Sequence, residues 1–235
     1  MRRRGSRLRK TGPAYLANLI AYYRFNDSLV DEINANNGTG TNIAYAVGKS
    51  GNGASFDSVS SYISITDNND FSFTDGTNDK PFSICMWVNY TDTNDAWLIN
   101  RREFNTSNTE WQIYIYQGKL SIALSADGGG AAGKLTDLLF SPTVGTWYHL
   151  GFTYSGVGNP KIYINGVLQT TTDTNTGTYT KMVNTNAPVI IGKAGWAGGF
   201  YFGGIIDSLP VFNKELSASE ITNVYDTGNA GNELI

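Results

Sequence analysis

Apolar and polar positions alternate along much of this chain with the period of two that a half-buried strand requires. In residues 148–154 every even position is aromatic or aliphatic, while the odd positions include His149. The next apolar segment is centred on Asn165 and Gly166, the two residue types that best tolerate the positive φ values of a type I′ turn. This part of the chain predicts a β-hairpin and therefore a sheet protein.

Further strands are predicted where short apolar segments rich in β-branched and aromatic residues lie between turn residues. Residues 62–65 are expected to form a hairpin with the strand before them. Residues 126–133 and 169–185 are predicted to be loops, the second with room for an edge strand. The predicted strands are 19–25, a glycine turn and short strand in 47–56, 62–65, 82–88, 96–100, 111–116, 119–125, 188–192 and 203–207.

One clear helix is predicted, near the C-terminus. Ser217 and Glu220 have the spacing of a capping box, in which each side chain accepts a hydrogen bond from a backbone N–H group at the helix start. Leu216 and Ile221 occupy the hydrophobic staple positions, and Gly228 is the expected end. The predicted fold class is all-β with one short C-terminal helix.

The composition suits one large β domain of 235 residues, because 27 glycines can serve turns and only 16% of the residues are charged. The aromatic content of 13% is enough for a large core. The one cysteine, Cys85, has no internal partner and lies in the apolar segment 82–88. We expect an inert, buried thiol at this position.

The first ten residues form a chemically distinct arm. They include six basic residues and no acidic one, whereas the rest of the chain has 11 basic and 20 acidic residues, a net charge of about −9. No apolar segment of signal-peptide or membrane-spanning length follows the arm. We expect either a solvated tail or attachment to an anionic partner, an acidic protein surface or nucleic acid. The basic residues are Arg2, Arg3, Arg4, Arg7, Arg9 and Lys10.

Several short motifs follow one another in a fixed order between residues 19 and 225. They are AYYRF at 21–25 with Asp31 and Asn37-Gly38, VGKSG at 47–51 with SFD at 55–57 and YI at 62–63, FSICMWV at 82–88, GTWYH at 145–149, IYING at 162–166, IIG at 190–192, and GGIID at 203–207 followed by LSASEI at 216–221. In this order they resemble the concanavalin A-like lectin/glucanase superfamily, in its laminin G-like or pentraxin-like branch. The resemblance implies a two-sheet antiparallel jelly-roll sandwich over residues 16–235, with an arm at residues 1–15.

Glucanases of this superfamily place two glutamates around an aspartate on one strand, so that both carboxylates project from the same face. None of the six glutamates here has such neighbours, and no enzyme is predicted, although Glu103 and Glu110 could still meet in space. His149 is the only histidine. We expect it to be a hydrogen-bonded sheet residue and not a catalytic base.

The resemblance also implies a calcium ion, which relatives often hold between the loop after the first strand and the late Ile-Asp motif. Asp31, Asn37 and Asp207 fit those positions. Their alternative role is hydrogen bonding in turns and at a strand end.

The predicted ligand site is the glycine-rich loop 193–201. Trp196 lies between glycines and can present a flat face to a sugar ring, with Phe200 and Tyr201 beside it. The alternative is that Trp196 folds back as a lid on the sandwich.

Together these features predict a non-catalytic surface-display or adhesion module. The basic arm, the missing secretory signal and the single domain favour a structural or decoration protein on a virion surface, that of a phage, which is docked by its arm and binds glycans. The alternative is a secreted or cell-surface bacterial lectin-like module that binds carbohydrate. A homo-oligomer is compatible with both.

Overall fold

The computed structural model describes residues 12–103, 108–195 and 199–235. The six basic residues of the arm and Trp196 therefore lie outside the described residues. The described chain forms two antiparallel sheets, two 3-10 helices (Ala14–Asn18 and Asn69–Phe71) and one α-helix, α1 (Ala218–Asn229).

The first sheet has nine strands and the second has eight. The strands of the first sheet are β1 (Leu19–Tyr23), β3 (Ala44–Val47), β4 (Asn52–Asp57), β6 (Phe82–Tyr90), β11 (Trp147–Tyr154), β12 (Lys161–Ile164), β13 (Val167–Leu168), β16 (Gly203–Asp207) and β17 (Leu209–Phe212). Those of the second sheet are β2 (Gly38–Thr41), β5 (Tyr62–Ile65), β7 (Ala96–Arg102), β8 (Thr109–Tyr116), β9 (Lys119–Ser125), β10 (Gly133–Leu139), β14 (Thr172–Thr176) and β15 (Val189–Ile191).

The strand order of the first sheet is β13-β12-β11-β6-β16-β4-β3, and β17 pairs with both β6 and β1. The second sheet has the order β14-β10-β9-β8-β7-β15-β5-β2. Neighbours that are distant in sequence, such as β6 and β16, show that the chain crosses repeatedly between the sheets, as a jelly roll requires.

The hairpin predicted around residue 165 is confirmed. Asn165 and Gly166 join β12 to β13 with φ values of 50° and 79°, both in the left-handed region that a type I′ turn needs. The amide N–H of His149 donates to Asn165 Oδ1 at 2.9 Å, so the turn is also tied to β11.

The main core lies between the facing surfaces of the two sheets. The alternation in β11 is observed as predicted, because Leu150 and Phe152 enter this core and His149 faces away from it. Large aromatic side chains fill much of the space, as the composition suggested. Fully buried members include Tyr23, Phe71, Phe82, Trp111, Tyr154 and Phe202.

A second, smaller apolar cluster lies between α1 and the outer face of the first sheet. Ser217 and Glu220 form the predicted capping box at the start of α1, and the staple residues Leu216 and Ile221 are buried in this cluster. Cys85 belongs to it as well. Burial raises the pKa of the Cys85 thiol to about 12, in keeping with an inert side chain.

The predicted hairpin partner of β5 was wrong. β4 pairs with β3 and β16 in the first sheet, whereas β5 pairs with β2 and β15 in the second. The chain changes sheets in the turn between them, where Asp57 Oδ1 accepts hydrogen bonds from the N–H groups of Val59, Ser60 and Ser61. An aspartate that stabilises a turn in this way is recognisable in the sequence, but it does not indicate which sheet the next strand joins.

Four strands were not predicted from the sequence, and a fifth was left open. β2 is composed of glycine and threonine, β3 is a short strand before the predicted glycine turn, and β10 and β17 have no clear period. Proline, present in β17 as Pro210, is uncommon within strands. β14 is the edge strand allowed within residues 169–185, and its residues are all exposed. A strand at the edge of a sheet can consist of polar residues, which explains why the sequence pattern of β14 is weak.

The structure confirms the predicted all-β fold, a two-sheet antiparallel jelly-roll sandwich with one short C-terminal helix. Among the described residues no helix has the length and apolarity needed to cross a membrane.

Candidate functional site

An aromatic cluster covers part of the outer face of the second sheet. Trp97 of β7 stacks on Tyr114 of β8 with ring centroids 4.7 Å apart and an interplanar angle of 13°. Phe200 packs on the same indole at 5.1 Å, and Tyr116 contacts both Trp97 and Phe200. Because Ile113 and its alternate neighbours enter the core, Tyr114 and Tyr116 must face outward. We call these four side chains the aromatic cluster.

Polar groups fix the geometry beside the aromatic cluster. Trp97 Nε1 donates to Gln112 Oε1 at 2.8 Å, and Arg102 Nη1 donates to the same oxygen at 3.2 Å. Burial raises the pKa of Tyr114 to about 12, and the nearby Asp137 acts in the same direction. At neutral pH Tyr114 is therefore an uncharged phenol that can donate a hydrogen bond.

A groove of about 200 Å³ lies next to this cluster on the same face. Its floor is a transverse row of cross-strand partners: Gln112, Ala123, Leu135 and Thr174 lie opposite one another on β8, β9, β10 and β14. The small side chain of Ala123 lowers the floor between larger neighbours. The remaining lining residues include Arg102, Tyr114, Gly129, Gly130, Lys134 and Thr176.

One wall of the groove is the glycine-rich loop 126–132, which a single carboxylate organises. Asp127 Oδ1 accepts hydrogen bonds from the N–H groups of Gly129 and Gly130, at 3.0 and 2.8 Å. Asp127 Oδ2 accepts from those of Ala131 and Ala132, at 3.0 and 3.1 Å. These bonds lower the pKa of Asp127, so the carboxylate is charged over the ordinary pH range.

A second cleft, of about 300 Å³, lies on the other side of Arg102. Ser64 and Ile190 contribute to its lining, and Lys193 Nζ lies 4.6 Å from the centre of the Tyr62 ring and 5.5 Å from that of Tyr201. Arg102 borders both the groove and this second cleft.

The predicted ligand residues thus divide between two places. Phe200 belongs to the aromatic cluster, whereas Tyr201 lies on Lys193 beside the second cleft. Trp196 lies outside the described residues, so its role stays a prediction. The sequence-based prediction missed Trp97, Tyr114 and Tyr116, although Tyr114 and Tyr116 alternate with core isoleucines in β8.

The structure places the predicted calcium residues in turns. The Asp31 carboxylate accepts from the N–H groups of Tyr22, Ile33 and Asn34, and the Asp31 N–H donates to Asn37 Oδ1 at 3.0 Å. These hydrogen bonds match the alternative role expected for Asp31 and Asn37.

Asp207 serves a different turn. Its Oδ2 accepts from the N–H groups of Lys49 and Ser50, at 2.7 and 2.9 Å. Burial raises the pKa of Asp207 to about 6. Within the described part of the chain, no group of three or more His, Cys, Asp or Glu side chains is arranged to hold a metal ion. The hydrogen bonds of Asp31, Asn37 and Asp207 therefore do not join them into one ligand set, and calcium binding stays a prediction.

The two glutamates considered for catalysis have different surroundings. Glu110 is fully buried and pairs with the buried Arg101, with Arg101 Nε 2.8 Å from Glu110 Oε1. The N–H and hydroxyl groups of Thr185 donate to the same carboxylate oxygen. Glu103 accepts a hydrogen bond from Asn108 at 2.6 Å. The Glu110 carboxylate therefore makes contacts within the fold, and Glu110 does not line the groove.

The prediction for His149 was partly wrong. The residue lies in a strand, as expected, but neither ring nitrogen has a hydrogen-bond partner among the described residues. The ring is packed between Trp87 and Tyr225 under α1, at centroid distances of 5.3 and 5.9 Å. Burial lowers the pKa of His149 to about 3, so the imidazole is neutral near pH 7.

Comparison with protein families identifies the fold. A laminin G model, described as belonging to the concanavalin A-like lectin/glucanases superfamily, matches residues 34–222. This is well over half of the chain, and the chain belongs to that superfamily. Comparison with curated proteins gives no match.

Solved structures share the architecture at low sequence identity. Domain 4 of AbnA, a GH43 extracellular arabinanase from Geobacillus stearothermophilus in complex with arabinotriose, is 23% identical with a TM-score of 0.66, covering 88% of this chain and 98% of that one. The binding domain of Paraclostridial Mosquitocidal Protein 1 is 19% identical with a TM-score of 0.69, covering 90% of this chain and 52% of that one.

The receptor binding domain of a botulinum neurotoxin C/D mosaic serotype is 18% identical with a TM-score of 0.66, covering 89% and 51% of the two chains. The present chain spans about half the length of these two toxin binding domains. At these identities the likeness concerns the fold alone.

Proposed function

We propose that this domain is a non-catalytic glycan-binding module whose ligand lies across the outer face of the second sheet. The observation that carries the proposal is the aromatic cluster beside an open groove with a polar lining. Ligand sites commonly combine aromatic surfaces with a few oriented polar groups. The groove has this combination, because the Tyr114 ring borders a floor that includes Gln112 and Thr174.

The chemistry suits a sugar chain. The apolar face of a sugar ring packs on a flat aromatic side chain, while hydroxyl groups exchange hydrogen bonds with amide, hydroxyl and guanidinium groups. Gln112 and Arg102 are already oriented by the hydrogen bond between them, so little side-chain freedom is lost when a ligand binds.

Two further observations support binding without catalysis. Glu110 is locked in its ion pair with Arg101, away from the groove. The structurally similar proteins include an arabinanase domain that holds arabinotriose and two toxin binding domains. A glycosidase would instead need two carboxylates facing one sugar.

The test is binding of the full chain to an array of neutral and acidic glycans, followed by calorimetry with the best ligand and with arabinotriose. Tyr114→Ala should weaken binding about tenfold, because it removes one aromatic face of the groove. Tyr45→Ala, at an exposed tyrosine on the edge strand β3, is the matched control and should bind as the wild type does. If the wild type binds no glycan, or if both variants behave alike, the proposal is wrong.

For the biological setting, we infer surface display on a virion, that of a phage, with the basic arm docked on an acidic protein surface or nucleic acid. The support is the charge contrast between the arm residues 1–10 and the acidic remainder of the chain. A secreted or cell-surface bacterial module is the alternative, and the resemblance to an extracellular arabinanase domain and to toxin binding domains favours it.

Particle purification separates the two settings. Display on a virion predicts that the protein co-purifies with particles and that removal of residues 1–12 releases it, with salt weakening attachment of the full chain. Absence from purified particles, or unchanged attachment of the shortened chain, would favour the extracellular alternative.

A further inference from the structure

The groove and the second cleft lie along one transverse row of strand residues. On the transverse row, Gln112 lies opposite Asn100 of β7, Asn100 lies opposite Ile190 of β15, and Ile190 lies opposite Ser64 of β5. From β8 to β5 the row advances by three strand spacings, about 14 Å. Asn100 is buried between them, and Arg102 borders both, so the two places are close enough for one glycan chain to contact both.

The second cleft contains a cation without an anionic partner. Lys193 Nζ makes no ion pair among the described residues, and its neighbours are the rings of Tyr62 and Tyr201. Glu103 also lines the cleft, but its carboxylate accepts from Asn108 Nδ2 at 2.6 Å. Two cationic side chains, Lys193 and Arg102, thus face one acidic side chain.

Backbone contacts hold Lys193 in place. Asn100 Nδ2 donates to the Lys193 carbonyl at 2.7 Å, and Lys193 forms a β-bridge with Tyr201. The cation–π contacts to Tyr62 and Tyr201 then limit the directions that the ammonium group can take. The ammonium group is therefore oriented in the absence of a ligand. Its N–H groups remain available as hydrogen-bond donors, because the contacts with the two rings are cation–π contacts and not conventional hydrogen bonds.

We propose that the second cleft is a subsite for an acidic sugar, whose carboxylate or sulfate group is bound by Lys193. The inference rests on the proposed glycan binding and adds the class of ligand. The rest of the chain beyond the arm is strongly acidic and repels an anionic glycan, so a local cation on the ligand path decides whether such a glycan is accepted. A charge-assisted hydrogen bond from an oriented ammonium supplies the required attraction.

The experiment compares matched ligands by calorimetry with the full chain. One pair is oligogalacturonate against neutral arabino-oligosaccharides, which tests a carboxylate, and the other is dextran sulfate against dextran, which tests a sulfate. Lys193→Gln should weaken binding of one or both acidic ligands about tenfold and leave the neutral ligands unchanged. Lys193→Arg should retain acidic-ligand binding, and added salt should weaken it in the wild type but much less in Lys193→Gln.

Lys80→Gln is the charge-matched control, because Lys80 is exposed and lines a different depression beside Asp70. Equal effects of Lys193→Gln and Lys80→Gln, or no preference of the wild type for either acidic ligand, would overturn the acidic subsite. Retained neutral binding that Tyr114→Ala reduces would show, in that case, that the proposed function survives. If the wild type binds neither acidic nor neutral glycans, both proposals are wrong.

Discussion

The outer face of each sheet carries a tryptophan next to polar strand residues, but the two tryptophans have different surroundings. On the first sheet, Trp87 stacks on Tyr225 of α1 at 5.5 Å and contacts His149 at 5.3 Å. On the second sheet, Trp97 stacks on Tyr114 of a neighbouring strand, and Tyr114 borders the groove. A helix of the same chain covers the first tryptophan, whereas the rings of Tyr114 and Phe200 cover the second, beside an open groove.

Polar residues on the two outer faces have different surroundings. Under α1, the imidazole of His149 has no hydrogen-bond partner among the described residues and must stay neutral. On the open face, the side-chain oxygen of Gln112 accepts from both Trp97 and Arg102. The covered face is therefore sensitive to added charge and volume, whereas the polar side chains of the open face are held by hydrogen bonds to one another.

The largest effect is expected from acidification of the covered face. In the unfolded chain His149 binds a proton below its ordinary pKa of about 6.5, whereas burial holds its pKa at about 3 in the folded protein. The folded state thus binds fewer protons, and stability falls as the pH drops from about 6.5 towards 3, by roughly 3 kcal/mol at pH 4 from this residue alone.

Urea unfolding at pH 7, 5.5 and 4 measures this loss. His149→Phe should flatten the pH dependence of the free energy of unfolding between pH 6.5 and 4, while titrating carboxylates affect both proteins equally. Asp207 has the opposite effect on stability. Because its pKa is about 6, its protonation as the pH falls from about 6 to 4 relieves the cost of burying its charge and stabilises the fold. Identical slopes for wild type and His149→Phe would contradict the assignment.

A smaller effect is expected from added volume under the helix. A Cβ atom at Gly228 of α1 would lie 2.2 Å from Trp87 Nε1, so Gly228→Ala must push the helix away from the sheet. We expect a loss of about 1 to 2 kcal/mol in the free energy of unfolding, after the better helix propensity of alanine is included. Asp226→Ala, at an exposed position of α1, is the control, and thermal unfolding of the two variants decides.

The groove wall offers a test that leaves the core untouched. In Asp127→Asn only one side-chain oxygen can accept the four N–H bonds that shape residues 129–132, so hydrogen exchange of these amides should become faster and glycan binding weaker. Asp75→Asn is matched, since Asp75 holds a turn by accepting from Thr77 and Asn78. Unchanged exchange in Asp127→Asn would show that the loop holds its shape without the carboxylate.

The smallest effect is expected for Tyr116, an exposed ring of the aromatic cluster. Tyr116 is 38% exposed, so Tyr116→Thr should change the free energy of unfolding by no more than about 0.5 kcal/mol. A much larger loss would show that the aromatic cluster belongs to the folding core, and the contrast between the two faces would weaken. Chemical unfolding at pH 7 is the measurement.

The sequence was more informative about the fold than about the site. The hairpin at Asn165 and the capping box at Ser217 are local motifs, so a few consecutive residues are enough to predict them. Trp87 and Trp97 look alike in sequence, because each lies in an apolar strand. Whether a helix or the side chains of neighbouring strands and loops cover such a residue depends on tertiary contacts, which strand periodicity does not encode.

The C-terminal residues are hydrogen-bonded to β1 and to the residue that follows it. The Tyr22 hydroxyl donates to Glu233, and Arg24 Nη2 donates to the Ile235 carbonyl at 2.8 Å. Since β1 belongs to the helix-covered sheet, the described N-terminal segment and the last residues meet on the side of the sandwich away from the groove. A partner joined after Ile235 would therefore lie away from the open face, and a linker from Ile235 to the described N-terminal segment is a route to a circularly permuted domain.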